Sequence, residues 1–328
     1  MNCTWIITGS AGFIGSNLTN YLLQHGHSII GLDNLSTGKQ ENVIRSKEIG
    51  GPRYQFSVGN ICDKKIVDDL MSCSVDFVVH LAAQSSVQRS FDNVEKNNHE
   101  NIDGFINVLL SAGKYKVKKF IYASSASVYG DTDLLPIKED RCPNPLSPYA
   151  STKLMNDMFS KNFYNIFPGM QFIGLRFFNI FGPWQDPYSG YAAVIPKWID
   201  RLLSNSKPVI FGDGSATRDF CYIKDVCDLI INISKSSDSN LNGVYNVSSG
   251  SSINLKNLYL SIYKIISSSG FELSFDDPDF LPWKKGDILH SLGSIDLAKR
   301  KLEFNPDTSL EHGIKNILKI QYNIKNTL

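Results

Sequence analysis

The sequence predicts an α/β protein: a doubly wound parallel sheet followed by a smaller C-terminal lobe. Three observations predict it. Short apolar runs alternate with helical periodicity through the first half of the chain. A glycine turn separates the first run from the first helical pattern. After Arg176 the alternation fades, and Pro183, Pro187, Pro196 and Pro208 cut the chain into short pieces. The expected division is a sheet domain over residues 1–176, rejoined near 219–248, and a second lobe over 177–328.

The first strand is expected over residues 5–8, before Gly9-Ser10-Ala11-Gly12-Phe13-Ile14-Gly15. Phe13, Ile14, Leu18, Tyr21, Leu22 and Leu23 then repeat at helical spacing and stop near Gly26. The glycines let backbone approach a pyrophosphate, and the helix N-terminus offers unpaired N–H groups and a positive dipole end. A second strand over residues 28–32 ends in Asp33. An acid there binds a ribose 2′-hydroxyl and repels a 2′-phosphate, which favours NAD over NADP. Further strands are expected at residues 54–58, 76–80 and 119–123, with a helix over 97–112 among the patterns between them. Continuous apolar runs such as Phe77-Val78-Val79 suit strands covered on both faces. Ligands of such sheets lie at the carboxyl ends of the strands. Those ends carry Gly9, Asp33, Asn60, Leu81-Ala82-Ala83 and Ser124-Ser125, which one cleft would collect.

Composition narrows the classes. With 328 residues, 42% hydrophobic and 20% charged, the chain can bury a large core. A net charge of +1 makes no electrostatic case for nucleic acid or an anionic membrane. No apolar run reaches the length of a membrane span, and the first residues lack a basic segment followed by a hydrophobic one, so a cytoplasmic protein is expected. The six cysteines form no Cys-x-x-Cys pair and no histidine cluster suggests a metal.

The chemistry-bearing residues lie in the middle. Ser124-Ser125-Ala126-Ser127-Val128-Tyr129-Gly130 follows the fifth strand, where a hydroxyl can share a substrate proton. Tyr149 and Lys153 are four residues apart, which stacks them on one helix face. An ammonium beside a phenol favours the phenolate, so Tyr149 is expected to fall toward working pH and serve as a general base.

These motifs carry a resemblance. Thr8-Gly9-x-x-Gly12-x-x-Gly15, Asp33, the Ser125 turn and Tyr149-x-x-x-Lys153 resemble the extended short-chain dehydrogenase/reductases over nearly the whole chain. The stretches 80–90, 176–182, 185–187, 191–198 and 218–223 are similar to bacterial UDP-N-acetylglucosamine 4-epimerases of surface-polysaccharide synthesis. The resemblance implies a Rossmann NAD-binding domain with a substrate-binding lobe, acting as a homodimer packed through two helices of each subunit. It implies that NAD is held by Gly9, Gly12, Phe13, Ile14, Gly15, Asp33, Asn34, Ser36, Thr37, Gly38, Asn60, Ile61, Leu81, Ala82, Ala83, Asn101, Tyr149, Lys153 and Phe178. Ser125, Tyr149 and Lys153 would be catalytic. Tyr149 would take the proton of the sugar 4-hydroxyl while C4 passes a hydride to NAD. The 4-keto sugar would then turn and regain the hydride on its other face.

The UDP-sugar would contact Ser86, Ser125, Asn179, Gln185, Phe211, Arg218 and Ser291, the last being small enough to admit a 2-acetamido group. Arg218 could instead pair with Asp219 or Asp225. Dehydratases of the superfamily carry Asp-Glu where Ala126-Ser127 stands, so dehydration is disfavoured. Tyr191 and Trp198 read as core, and His80 and His290 as structural. Relative to the family pattern, Asn60 replaces an aspartate, while Lys284 and Leu289 replace arginines. Plain UDP-hexose and UDP-uronate 4-epimerases, and a non-catalytic NAD-sensing protein, remain alternatives.

Overall fold

The computed structural model describes residues 2–188, 192–283 and 288–324. Seven strands form one parallel sheet: β1 (Thr4–Thr8), β2 (Ser28–Asp33), β3 (Tyr54–Val58), β4 (Phe77–His80), β5 (Lys119–Ser125), β6 (Gln171–Phe177) and, after four short strands, β11 (Gly243–Val247). Their spatial order is β11-β6-β5-β4-β1-β2-β3. The order reverses between β1 and β4, where the chain leaves toward opposite sides and opens a crevice at the strand ends. The register is continuous, with Ile6 opposite both Ile30 and Val78.

The apolar runs divide between two cores. Trp5, Ile7, Val79, Ile121 and Ile173 pack on one face, and Ile6, Val78, Phe120, Tyr122 and Phe172 on the other. Successive strand residues point to opposite faces, so a strand covered on both sides must be apolar throughout. The covering helices are α1 (Phe13–Gln24), α2 (Gln40–Gly50), α3 (Lys64–Met71), α4 (Val87–Asp92), α5 (Val94–Asn98), α6 (Gly104–Lys114) and α7 (Pro148–Phe163). Beyond β6 come α8 (Val194–Leu203) and α9 (Ile223–Lys235). The short strands pair locally: β7 (Asn179–Phe181) with β10 (Phe220–Tyr222), β8 (Val209–Phe211) with β13 (Asp279–Leu281), and β9 (Thr217–Arg218) with β12 (Ile253–Asn254).

One expected helix is corrected. The pattern over 97–112 is not a single α-helix: a five-residue π turn, His99–Asp103, separates α5 from α6. Such turns re-aim side chains at one position. Here Asn101 is turned inward, where its Oδ1 accepts from Gln84 N (2.8 Å) and its Nδ2 donates to Gln84 O (3.0 Å) and Thr152 Oγ1 (3.1 Å). Asn101 therefore ties the loop after β4 to α7. No helix among the described residues is long and apolar enough to cross a membrane.

Candidate active site

A cleft of about 970 Å³ opens at the carboxyl ends of β1, β2, β4 and β5. Its floor begins with the turn after β1. Gly9 sits at φ +72°, and a Cβ there would lie 2.7 Å from Ala82 N. A Cβ on Gly15 would lie 2.1 Å from Gly9 O. Both positions therefore require glycine, and the turn draws α1 tight against the strand end. Gly12 caps α1 without a side-chain hydrogen bond, and no acidic residue occupies its first turn. The N–H groups there are left for an anion.

The Asp33 carboxylate is aimed by backbone: Ala11 N donates to Oδ2 (3.0 Å) and Leu35 N to Oδ1 (2.8 Å). Burial raises its pKa above the ordinary carboxylate value, and these N–H groups oppose that. This cradle fits a dinucleotide with a free 2′-hydroxyl.

The opposite wall is β5 and α7. Ser147 caps α7 by accepting from Ala150 N (3.1 Å), and Pro148 occupies the first turn. The helix thus starts where Tyr149 and Lys153 face the end of β5. Ser125 ends β5, and its Oγ accepts from Ser127 N (3.2 Å) and Ser127 Oγ (2.9 Å). Lys153 Nζ donates to Ala123 O (2.9 Å) and lies 5.8 Å from the centre of the Tyr149 ring.

The electrostatics correct one expectation. Burial pushes the Tyr149 phenol above its ordinary value, and the nearby Ser125 hydroxyl only partly opposes the rise. The neighbouring ammonium does not set the direction. It is itself buried and drawn down to about 8, with Asp157 opposing the fall. The i, i+4 spacing brings the pair together, but desolvation of both groups outweighs their proximity.

Behind them lies a buried polar network. Asp157 pairs with Arg176 (3.0 Å), and Arg176 Nη1 donates to Tyr129 Oη (2.8 Å). His80 is held down to about 3 by burial and meets Thr8 Oγ1 through Nδ1 (2.9 Å), as a neutral structural group.

The cleft gathers most of the sequence candidates: Gly9, Gly12, Phe13, Ile14, Gly15, Asp33, Asn34, Ser36, Thr37, Gly38, Asn60, Ile61, Leu81, Ala82, Ala83, Ser86, Ser125, Tyr149, Lys153, Phe178 and Gln185. It does not gather all of them. Asn101 is 1% exposed and lies behind the wall, spent on Gln84 and Thr152. Asn179 donates to Asp219 O (3.0 Å). Phe211 closes β8, and Arg218 Nη1 reaches Thr217 O (2.9 Å) and Leu289 O (3.2 Å). Ser291 N donates to Thr217 O (3.1 Å). These four group around the short strands β7 to β9 rather than on the cleft wall. The carboxylates considered for Arg218 are engaged elsewhere, Asp219 by Ser249 and Gly293 and Asp225 by Thr308. Lys284 and Tyr191 lie outside the described residues, whereas Trp198 is buried in the core as expected.

The sequence did not reveal a strap across the cleft. The segment after β7 brings Trp184, Gln185, Asp186 and Tyr188 onto its wall. The Arg45 guanidinium of α2 stacks 3.6 Å over the Trp184 ring, and Lys39 pairs with Asp186 at 3.1 Å. These partners lie far apart in the chain, and no local spacing signals them.

The NAD dependent epimerase/dehydratase family model matches residues 5–248. A putative UDP-glucose 4-epimerase of Methanocaldococcus jannaschii is 33% identical over 98% of this chain and 99% of its own length. Among solved structures, the UDP-N-acetylglucosamine 4-epimerase from Methanobrevibacter ruminantium M1, in complex with UDP-N-acetylmuramic acid, superposes with a TM-score of 0.89. It is 34% identical, with 97% of each chain covered. The UDP-glucose 4-epimerase of Thermotoga maritima with UDP-glucose gives 0.87 at 33% identity, covering 96% of this chain and 97% of that one.

Proposed function

We propose that this chain, which belongs to the NAD dependent epimerase/dehydratase family, interconverts UDP-N-acetylglucosamine and UDP-N-acetylgalactosamine to supply surface-polysaccharide synthesis. It is an NAD-dependent nucleotide-sugar 4-epimerase. The choice of sugar and the pathway are our reading.

The carrying observation is that Ser125, Tyr149 and Lys153 share one wall of the cleft whose opposite wall is the glycine turn. The residues fit NAD: the α1 N-terminus would hold the pyrophosphate and Asp33 the adenosine ribose. When bound, NAD accepts and returns the hydride of the sugar carbon. Tyr149 receives the proton of the 4-hydroxyl and gives it back, with Ser125 holding the same oxygen in place. Lys153, anchored on Ala123 O, keeps its ammonium beside the phenol and would hold the nicotinamide ribose. No carboxylate stands in the Ala126-Ser127 turn to eliminate water, so the keto sugar can only be reduced again.

Gln185 supports the acetamido sugar. It lies on the cleft wall, and its buried Oε1 has no partner among the described residues. An unpaired buried acceptor costs about 1–3 kcal/mol, which an acetamido N–H would recover and a plain hydroxyl serves less selectively. The test is to incubate the protein with UDP-N-acetylglucosamine, UDP-glucose and UDP-glucuronate and follow each 4-epimer by NMR. The reading expects the highest kcat/KM on the acetamido sugar, and Gln185→Leu should lower that value more than the one for UDP-glucose. Preference for the uronate would overturn it.

We further propose a homodimer. Met155 and Met158 are exposed on α7 and Leu110 on α6, an apolar face suited to a second copy. Gel filtration showing only monomer at micromolar concentration would refute this.

A further inference from the structure

One residue of the strap is folded against its own preference. Trp184 sits at φ +67°, in the left-handed region that suits glycine and that a bulky side chain rarely enters. Such a backbone persists only where its surroundings force it, and such residues gather at functional sites. Three contacts hold this one. Asn17 Nδ2 of α1 donates to Pro183 O (3.0 Å), Trp184 N donates to Gln321 Oε1 (2.8 Å), and the Arg45 guanidinium lies 3.6 Å from the ring centre. Arg45 is itself fixed. Its Nη1 donates to Asn42 Oδ1 (2.9 Å), and Asn42 Nδ2 donates to Ala11 O (2.8 Å) in the glycine turn. The stack therefore ties the strap to the cofactor cradle through α2.

The next residue is Gln185. Its Nε2 donates back to Ile180 O (3.2 Å), which leaves the buried Oε1 without a partner among the described residues, on the cleft wall. The backbone at Trp184 sets the direction in which that side chain leaves the chain, and an extended or right-handed Trp184 would send it elsewhere. We propose that Arg45 is a positioning residue for the choice of sugar: by stacking on Trp184 it holds the left-handed backbone that aims Gln185 at the 2-acetamido group. This rests on the reading of Gln185 given above. Arg45 itself does not line the cleft and acts through Trp184. The pair of Lys39 with Asp186 (3.1 Å) braces the far side of Gln185 and survives the loss of Arg45, so that loss loosens the strap without freeing it.

The readout is the ratio of kcat/KM for UDP-N-acetylglucosamine to that for UDP-glucose, taken on one NAD-loaded preparation by NMR. Losses of folded protein or of bound NAD are common to both sugars and cancel in the ratio. Gln185→Leu should lower the ratio roughly 5-fold, the worth of one neutral hydrogen bond. Arg45→Ala should lower it roughly 3-fold, the worth of one cation–π contact. Added to Gln185→Leu, Arg45→Ala should lower it no further, because its effect passes through Gln185. A wild-type ratio in Arg45→Ala, or a loss that adds in full to that of Gln185→Leu, would overturn the proposal and leave the acetamido reading standing. A wild-type ratio in Gln185→Leu would overturn both.

Discussion

Replacing Gly15 by alanine tests the cofactor cradle with one added carbon. The new Cβ would stand 2.1 Å from Gly9 O, 2.8 Å from Gly9 C and 2.9 Å from Ser10 Cα. All three are backbone atoms, so no side-chain rotation relieves the contact. Against an optimal separation of about 3.5 Å, the turn and α1 must part by over about 1 Å. A backbone N–H···phosphate bond at about 2.9 Å would stretch to about 3.9 Å, which is no longer a hydrogen bond. Losing two such bonds to a charged group, at about 1.5–3 kcal/mol each, weakens NAD by roughly 10²–10⁴-fold. Alanine's better helix propensity returns only about 1 kcal/mol and acts on folding rather than binding. The assay is the NAD released on denaturation of the purified protein, with calorimetry of NAD added to stripped protein and a melting curve to confirm the fold. A Gly15→Ala protein that folds and retains stoichiometric NAD would refute the cradle.

Other expectations follow from the same geometry. Tyr149→Phe should lower kcat by roughly 10²–10⁴-fold with KM little changed, the range for losing a general acid–base, as measured with the NMR assay. Lys153→Met should abolish turnover yet stabilise the fold. The folded value of about 8 lies below the ordinary 10.5, so the buried charge costs stability fully below pH 8, and the cost disappears as pH rises through 10.5. The cost is about 3 kcal/mol, less about 1 kcal/mol for the bond to Ala123 O. Urea unfolding should therefore show a net gain of about 2 kcal/mol at pH 7 that is gone by about pH 11. Trp184→Ala, which removes the surface that Arg45 stacks on, should speed NAD dissociation several-fold, by about the worth of one cation–π contact, in a fluorescence chase.

The sheet was legible because its strands are covered on both faces. Runs such as Phe77-Val78-Val79 have no other use, and β3 spans the expected residues 54–58. The cleft was legible for the same reason: strand ends fall at fixed points in the sequence, and a doubly wound order brings them together. The π turn was not legible. Its residues keep helical spacing, and only the tertiary demand of Gln84 and Thr152 for the Asn101 amide breaks the pattern. The Tyr149 electrostatics were misread because a four-residue spacing reports proximity and says nothing of burial. The Arg45–Trp184 stack was hidden because its partners meet only after β7 returns across the cofactor side. The candidates near the short strands were carried by motif alone. The Asn179 amide and the Arg218 guanidinium bond to nearby backbone, at Asp219 O and Thr217 O.

The most direct test of the central claim is to run the reaction on UDP-N-acetylglucosamine in deuterium oxide and read C4 of the product by NMR. A hydrogen moved by hydride transfer inside a closed cleft never meets solvent, so the 4-epimer should form with no deuterium on carbon. Deuterium at C4 or C5, or no epimer from any UDP-sugar, would contradict a tyrosine-assisted, NAD-dependent inversion at this site.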